Sequence, residues 1–262
     1  MNRKALFFDI DGTLLSVVTR QVPESAKEAL RIARSKGHLV FVNTGRSYGS
    51  LGPIKDMVDV DGWLCGCGTY IEAEGKELYH RAMPESQVRE ICRVMEKTNV
   101  DGILEGRDGC YVGSPESRFP EGRRLRKSMK AYIRSTDWNK ECGIVEKFCV
   151  LADEESDREG FFGSLGQDIQ VIDRGNDFYE CVPEGHSKAS AIDMILKKYG
   201  LELKDAYVFG DSTNDLAMFE HVPNAVVMGD HSPELEPYTT FFTKSVEQDG
   251  IWYAMEKLGL LD

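Results

Sequence analysis

Four aspartates follow apolar runs in this chain. Asp9 and Asp11 lie in Phe8-Asp9-Ile10-Asp11-Gly12-Thr13, and Asp211 and Asp215 in Phe209-Gly210-Asp211-Ser212-Thr213-Asn214-Asp215. A third apolar run ends in Val42-Asn43-Thr44-Gly45-Arg46. If the runs are strands of one parallel sheet, these residues meet where such sheets place their ligands, at the carboxyl ends of the strands. Up to four carboxylates would then share a small space. Two like charges about 4 Å apart repel by roughly 4 kcal/mol at an effective dielectric near 20, so protons must be shared or a hard cation must sit among them. Oxygen ligands at an open site suit Mg²⁺ better than zinc. Taken singly, an Asp-Gly is a turn and an Asp behind a strand is a helix cap. The combination Asp-x-Asp-Gly-Thr is different: at roughly 5% per residue type it is expected by chance in only a few chains per thousand of this length.

The elements that must position these groups can be read from periodicity. Ala5 to Ile10 is a short buried strand, and Pro23 to Gly37 carries helical spacing with Pro in the first turn and Gly as its stop. His38 to Asn43 is a second strand, followed by a helix and the strand Gly62-Trp63-Leu64-Cys65. Tyr70–Glu72 and Glu77–Tyr79 flank a Glu74-Gly75 turn and predict a hairpin. Pro84 to Thr98 is a helix; short strands, turn signals and two more helical stretches occupy the chain to Pro183. The first rhythm resumes with a helix from Ser187 to Tyr199, strands at 206–210, 226–228 and 241–243, and a helix over 251–258. This order predicts an α/β protein: a Rossmann-like parallel sheet with helices on both faces, formed by 1–81 and 186–262, with an α+β domain inserted at 82–185.

The 262 residues carry 44 acidic against 32 basic side chains, a formal charge of −12. Neither nucleic acid nor an anionic membrane would be attracted at long range. The one basic cluster, Arg118 to Lys130, reads as a solvated helix face. An acidic protein that binds an anion needs a locally positive site built from a metal, a lysine or helix N-termini. No apolar run is long enough to span a bilayer and the N-terminus lacks the pattern of a signal peptide, so a cytoplasmic protein is expected. Seven cysteines without paired Cys-x-x-Cys spacing read as reduced thiols.

The motifs together resemble the haloacid dehalogenase superfamily, and within it the Cof-type phosphatases with a large α/β cap. The resemblance runs through Asp9-Ile10-Asp11-Gly12-Thr13, then Thr44-Gly45-Arg46, Lys188 in Gly185-His186-Ser187-Lys188, and Gly210-Asp211-Ser212-Thr213-Asn214-Asp215. It implies that Asp9 is the nucleophile and Asp11 the general acid and base. It further implies that Mg²⁺ is held by Asp9, Asp11 through its main-chain carbonyl, and Asp211, with Asp215 in support. Thr44, Gly45, Lys188 and Asn214 would hold the phosphoryl oxygens, with Arg46 as a further substrate contact or a structural ion-pair partner. The implied substrate is a small phosphorylated metabolite, a sugar phosphate first. Polar cap residues that could meet it are Glu105, Arg107, Tyr111, Arg118, Asp177, Tyr179 and Glu180, most of them expected to face solvent. Cys67-Gly68-Thr69 and Gly229-Asp230-His231 depart from the Asn-Gly-Ala and Gly-Asn-Ala usual in this family. A phosphomutase, or a non-catalytic phosphate- or Mg²⁺-binding regulator, are the competing readings. The oligomeric state is not encoded in any feature of the sequence.

Overall fold

The computed structural model of the protein describes residues 3–138 and 142–262. The chain divides into two compact units, one of 1–45, 53–79 and 187–262, the other of 46–52 and 80–186.

In the first unit, β1 (Ala5–Phe8) is followed by helix α1 (Glu24–Ser35), β2 (Leu39–Asn43), the short α2 (Ile54–Met57), β3 (Gly62–Cys65), β4 (Tyr70–Ala73) and β5 (Lys76–His80). Glu74 and Gly75 link β4 to β5 with φ of 54° and 69°, the left-handed pair that a two-residue hairpin turn of type I′ demands. The second unit contributes α3 (Glu85–Lys97), β6 (Asp101–Gly106), β7 (Gly109–Val112), α4 (Pro120–Ser128), β8 (Ile133–Ser135), β9 (Lys147–Leu151), α5 (Arg158–Ser164), β10 (Ile169–Asp173) and β11 (Phe178–Pro183). The chain then returns to the first unit with α6 (Lys188–Tyr199), β12 (Ala206–Gly210), α7 (Leu216–His221), β13 (Ala225–Val227), β14 (Phe241–Phe242) and α8 (Gly250–Lys257).

The first sheet has the order β14-β13-β12-β1-β2-β3-β4-β5, parallel from β14 to β3. Ala5, Leu6, Phe7 and Phe8 are completely buried, as a central parallel strand covered on both faces requires. Phe7 stacks on Phe41 and Phe8 on Phe209, with ring centroids 5.5 and 4.3 Å apart. Residues 191, 192, 195 and 196 of α6, with Met218 and Phe219 of α7, close one face of this sheet. The strand order reverses direction at β1: β2 and β3 step out on one side, β12 and β13 on the other.

The second unit is a sheet of order β10-β11-β9-β6-β7-β8, antiparallel except for the β7–β8 pair. Leu104, Tyr111, Phe148, Val150 and Cys181 turn one face towards Val88, Ile91 and Met95 of α3 and Phe161 of α5. Sequence periodicity placed 46–52 with the first sheet; the structure clusters it with the second. Two of its contacts depend on glycine, which periodicity does not register: a Cβ on Gly49 would stand 2.2 Å from the Gly109 amide, and one on Gly52 2.0 Å from the Tyr132 hydroxyl. The basic segment is also more than a solvated face. Arg126 is buried and makes a two-pronged pair with Asp101, at 3.0 and 2.6 Å. All seven cysteines are unbridged and buried.

Glu180 on β11 is nearly inaccessible and paired with both Lys147 and Arg174. Burial alone would raise its carboxyl, but the two cations outweigh it and hold the group at about 2 against an ordinary 4.5. The stabilisation is therefore whole above pH 4.5 and is lost as the pH falls from there towards 2. Thermal melts of the wild type should show Tm falling across that window, and the fall should be shallower in Glu180→Gln, which starts lower at neutral pH.

Candidate active site

Register in the first sheet brings the sequence motifs together. Phe8 is level with Phe209 on β12 and with Val42 on β2, so Asp9 emerges between Gly210 and Asn43. The Asp9 amide still donates to the Phe209 carbonyl at 3.0 Å, which carries the strand geometry up to the carboxylate. Asp9, Asp211 and Asp215 each offer a carboxylate oxygen, and these atoms lie within 4.8 Å of one another.

Lys188 stands among them. Its Nζ donates to Asp9 Oδ1 at 2.5 Å and to Asp215 Oδ1 at 2.6 Å, and the side chain is 1% exposed. It is the first residue of α6, where the helix dipole disfavours a cation, so the carboxylates rather than the helix hold it there. A reciprocal cap fixes that helix start: Ser187 Oγ accepts from the Ser190 amide at 3.1 Å, and Ser190 Oγ from the Ser187 amide at 3.0 Å. Asn43 Nδ2 donates to the Lys188 carbonyl at 3.0 Å. The sequence signal for this role of Asn43 is an amide side chain at the end of a fully buried apolar strand, where it needs a partner.

The remaining oxygens are held from behind. Asp215 Oδ2 accepts from the Asp211 and Ser212 amides at 2.9 and 3.1 Å, and Thr13 Oγ1 donates to Asp211 Oδ1 at 2.9 Å. Ser212 Oγ donates to Asn214 Oδ1 at 2.9 Å, which places Asn214 on the same turn. Thr44 is buried at the end of β2; its amide donates to the Leu64 carbonyl at 2.8 Å and its carbonyl accepts from the Cys67 amide at 3.2 Å. Cys67 has φ 56° and ψ 39°, a left-handed conformation that asparagine tolerates better than cysteine. Asp11 is half-buried and forms an isolated bridge with Leu15. Gly45 closes the first segment of the first unit, whereas Arg46 begins the second unit, where its Nη1 lies 3.5 Å from the Leu51 carbonyl.

Electrostatics set what this cluster can do. Burial is the main force raising Asp9 to about 7; Lys188 opposes it, while Asp215 and Asp11 add to it. Asp211 is pushed to about 8 by burial and then by the charges of Asp9 and Asp215. Burial alone would depress the Lys188 ammonium, but Asp215 and Asp9 outweigh it and the net shift is upward. One lysine thus leaves a group of three carboxylates under-compensated. A hard divalent cation fits this oxygen set, and Gly12 keeps the space: its φ is +85° and a Cβ there would stand 2.5 Å from Asp211 Oδ2.

A family model for haloacid dehalogenase-like hydrolases matches residues 6–255. The chain is a member of that family. YkrA of Bacillus subtilis (strain 168) is 30% identical across the whole of both chains, and the HMP-PP phosphatase of Yersinia pestis is 27% identical over 87% of this chain and 85% of its own. Both carry the word phosphatase in their names. Among solved structures, a protein from Geobacillus kaustophilus HTA426 superposes with a TM-score of 0.85 at 28% identity, covering 99% of this chain and 100% of that one. The subclass IIB sugar phosphatase BT4131 superposes with a TM-score of 0.81 at 26% identity over 98% and 99%. The α/β fold with its parallel sheet is that of this family, and the protein is a haloacid dehalogenase-type phosphatase acting on small phosphorylated molecules. Among the described residues, no helix is long and apolar enough to cross a membrane.

Gly12→Ala should displace Asp211 without replacing any of the site's own side chains. Phosphatase activity is expected to fall by about 10- to 100-fold with an unchanged far-ultraviolet circular dichroism spectrum, as for other residues that orient metal-binding ligands.

Proposed function

We propose that this protein hydrolyses small phosphate monoesters, sugar phosphates first, in a Mg²⁺-dependent reaction that passes through an aspartyl-phosphate on Asp9. The observation that carries the proposal is the buried Lys188 held between Asp9 and Asp215, with Asp211 alongside. It joins a nucleophile, a fixed positive charge and a cation-binding carboxylate in one water-poor space.

A carboxylate oxygen of Asp9 forms a bond to phosphorus as the bond from phosphorus to the ester oxygen breaks. Asp11 gives its proton to that departing oxygen, so the alcohol leaves neutral. Asp11, now ionised, takes a proton from water; the water oxygen bonds to phosphorus, the phosphorus–Asp9 bond breaks, and inorganic phosphate leaves with Asp9 regenerated. Asp9, the main-chain carbonyl of Asp11, and Asp211 would hold the cation, with Asp215 behind them. Bound Mg²⁺ supplies positive charge against the phosphoryl oxygens and keeps Asp9 ionised at neutral pH. Lys188, the Thr44 hydroxyl, the Gly45 amide and Asn214 would neutralise and orient the phosphoryl oxygens, with Arg46 as a further anion contact. The second unit would act as the cap that selects the leaving group. The likeness to a sugar phosphatase supports the sugar-phosphate choice.

Asp9→Asn should lower turnover by at least about 10³-fold in a folded protein, and Asp11→Asn should slow it severely through lost proton transfer. Near-normal release of phosphate by Asp9→Asn would refute the mechanism. Chelation should abolish activity and added Mg²⁺ restore it. The screen is phosphate release from sugar phosphates, nucleotides and cofactor phosphates; stoichiometric phosphate from a hexose phosphate excludes a mutase.

A further inference from the structure

A strand at the edge of a sheet presents unpaired main-chain groups on which another strand can add, and proteins blunt such edges with shortness, lysine, proline or a bulge. The two sheets end on β14, β5, β10 and β8. β14 has two residues and β8 three, and β5 opens with Lys76-Glu77. β10 is different. Its five residues, Ile169-Gln170-Val171-Ile172-Asp173, include no lysine or proline. Its pairing with β11 runs without a bulge from Ile169 opposite Pro183 to Asp173 opposite Tyr179. Val171 is 38% exposed, and Gln170 and Asp173 beside it are exposed as well.

The ladder fixes which groups face outward. The Glu184 amide donates to the Asp168 carbonyl at 2.8 Å, and the Arg174 amide to the Phe178 carbonyl at 2.9 Å. In an antiparallel pair, residues bonded to the neighbour alternate with residues whose N–H and C=O point away from it. Asp168, Gln170, Ile172 and Arg174 therefore face β11. Ile169, Val171 and Asp173 turn their N–H and C=O to the open edge, where among the described residues no strand meets them.

These outward residues are symmetric about Val171, and a second copy of the same strand fits them. A two-fold axis at Val171 sets that residue against Val171 of the second copy, and Ile169 against its Asp173. Every outward N–H then meets a C=O, and two β-branched side chains left in water come together. The same register puts Asp168 of each copy opposite Arg174 of the other. An acid faces a base at both ends, in a chain whose net charge of −12 otherwise drives copies apart. Moving the axis by one residue loses that match and carries an outward residue past the end of the facing strand.

We propose that the protein forms a symmetric dimer in which two copies of β10 pair antiparallel about Val171, joining two second-unit sheets into one. The contact is short, so the dimer is of the weak, concentration-dependent kind.

Sedimentation velocity tests it. From about 1 to about 100 µM, the wild-type mass should climb from 29.5 kDa towards twice that value. Val171→Lys and Val171→Glu each set like charges face to face on the axis, and each should weaken association by at least about 10-fold. An equimolar mixture of the two variants should associate again, because opposite charges then meet at the axis. The Val171 side chain is exposed and its amide does not bond to β11, so both variants should keep the wild-type circular dichroism and Tm. Asp168→Arg, at an exposed position, should also weaken the dimer by opposing Arg174. A wild type that stays at 29.5 kDa throughout would overturn the proposal, including one that takes up only an extended peptide at this edge. So would a dimer that survives both substitutions at Val171, which would lie on another surface, or a mixture that shows no recovery.

Discussion

A single ammonium group, Lys188 Nζ, organises the first unit's site. It is almost wholly buried, and a buried cation is tolerable only where anions meet it. Asp9 and Asp215 do so at 2.5 and 2.6 Å, one just after β1 and the other in the turn between β12 and α7, so the ends of β1 and β12 and the start of α6 must arrive at one point. The same requirement explains the serine cap at 187–190 and the amide of Asn43 on the Lys188 carbonyl, both of which fix the helix end from which the lysine projects. Three carboxylates against one lysine leave negative charge in excess, which a hard cation among them would offset.

Parallel strand order does the rest. Because β1 lies between β2 and β12, its last residue faces loops that belong to opposite ends of the sequence. Asp9 and Asp211, some two hundred residues apart, become neighbours through a ladder whose side chains are ordinary Phe, Val and Ala. The aromatic stacking of Phe7 on Phe41 and Phe8 on Phe209 ties those three strands together beneath the carboxylates.

Much of this was legible in the sequence, because apolar runs and glycine or proline stops report directly on burial and on backbone direction. The strands at 5–8, 39–43 and 206–210 and the helices at 24–35, 85–97 and 188–199 follow their periodicity closely. Aspartates behind such strands announced a site because charge there is otherwise unfavourable. What the sequence concealed has no periodic signature. The seat of 46–52 depends on the close approach of Gly49 to the Gly109 backbone and of Gly52 to the Tyr132 ring, the pairing of Arg126 with Asp101 crosses 25 residues, and Glu105, Lys147 and Glu180 meet only once strands have chosen their neighbours. Of the polar residues of the inserted unit, most of them expected to face solvent, Arg118 and Asp177 pair with Asp153 and Arg158, whereas Glu105, Tyr111 and Glu180 are buried.

The seating of 46–52 bears on how such a protein can be rebuilt or inherited. The chain passes from one unit to the other at four places, not two, so the second unit is not a simple cassette between one pair of splice points. Transplanting 80–186 alone would leave Gly49 and Gly52 without the Gly109 backbone and Tyr132 ring they were shaped to meet. A recipient scaffold would have to accept both pieces together. Modular exchange of this unit among relatives is thereby coupled to the stretch that directly follows Thr44 and Gly45, and the two segments form one heritable part.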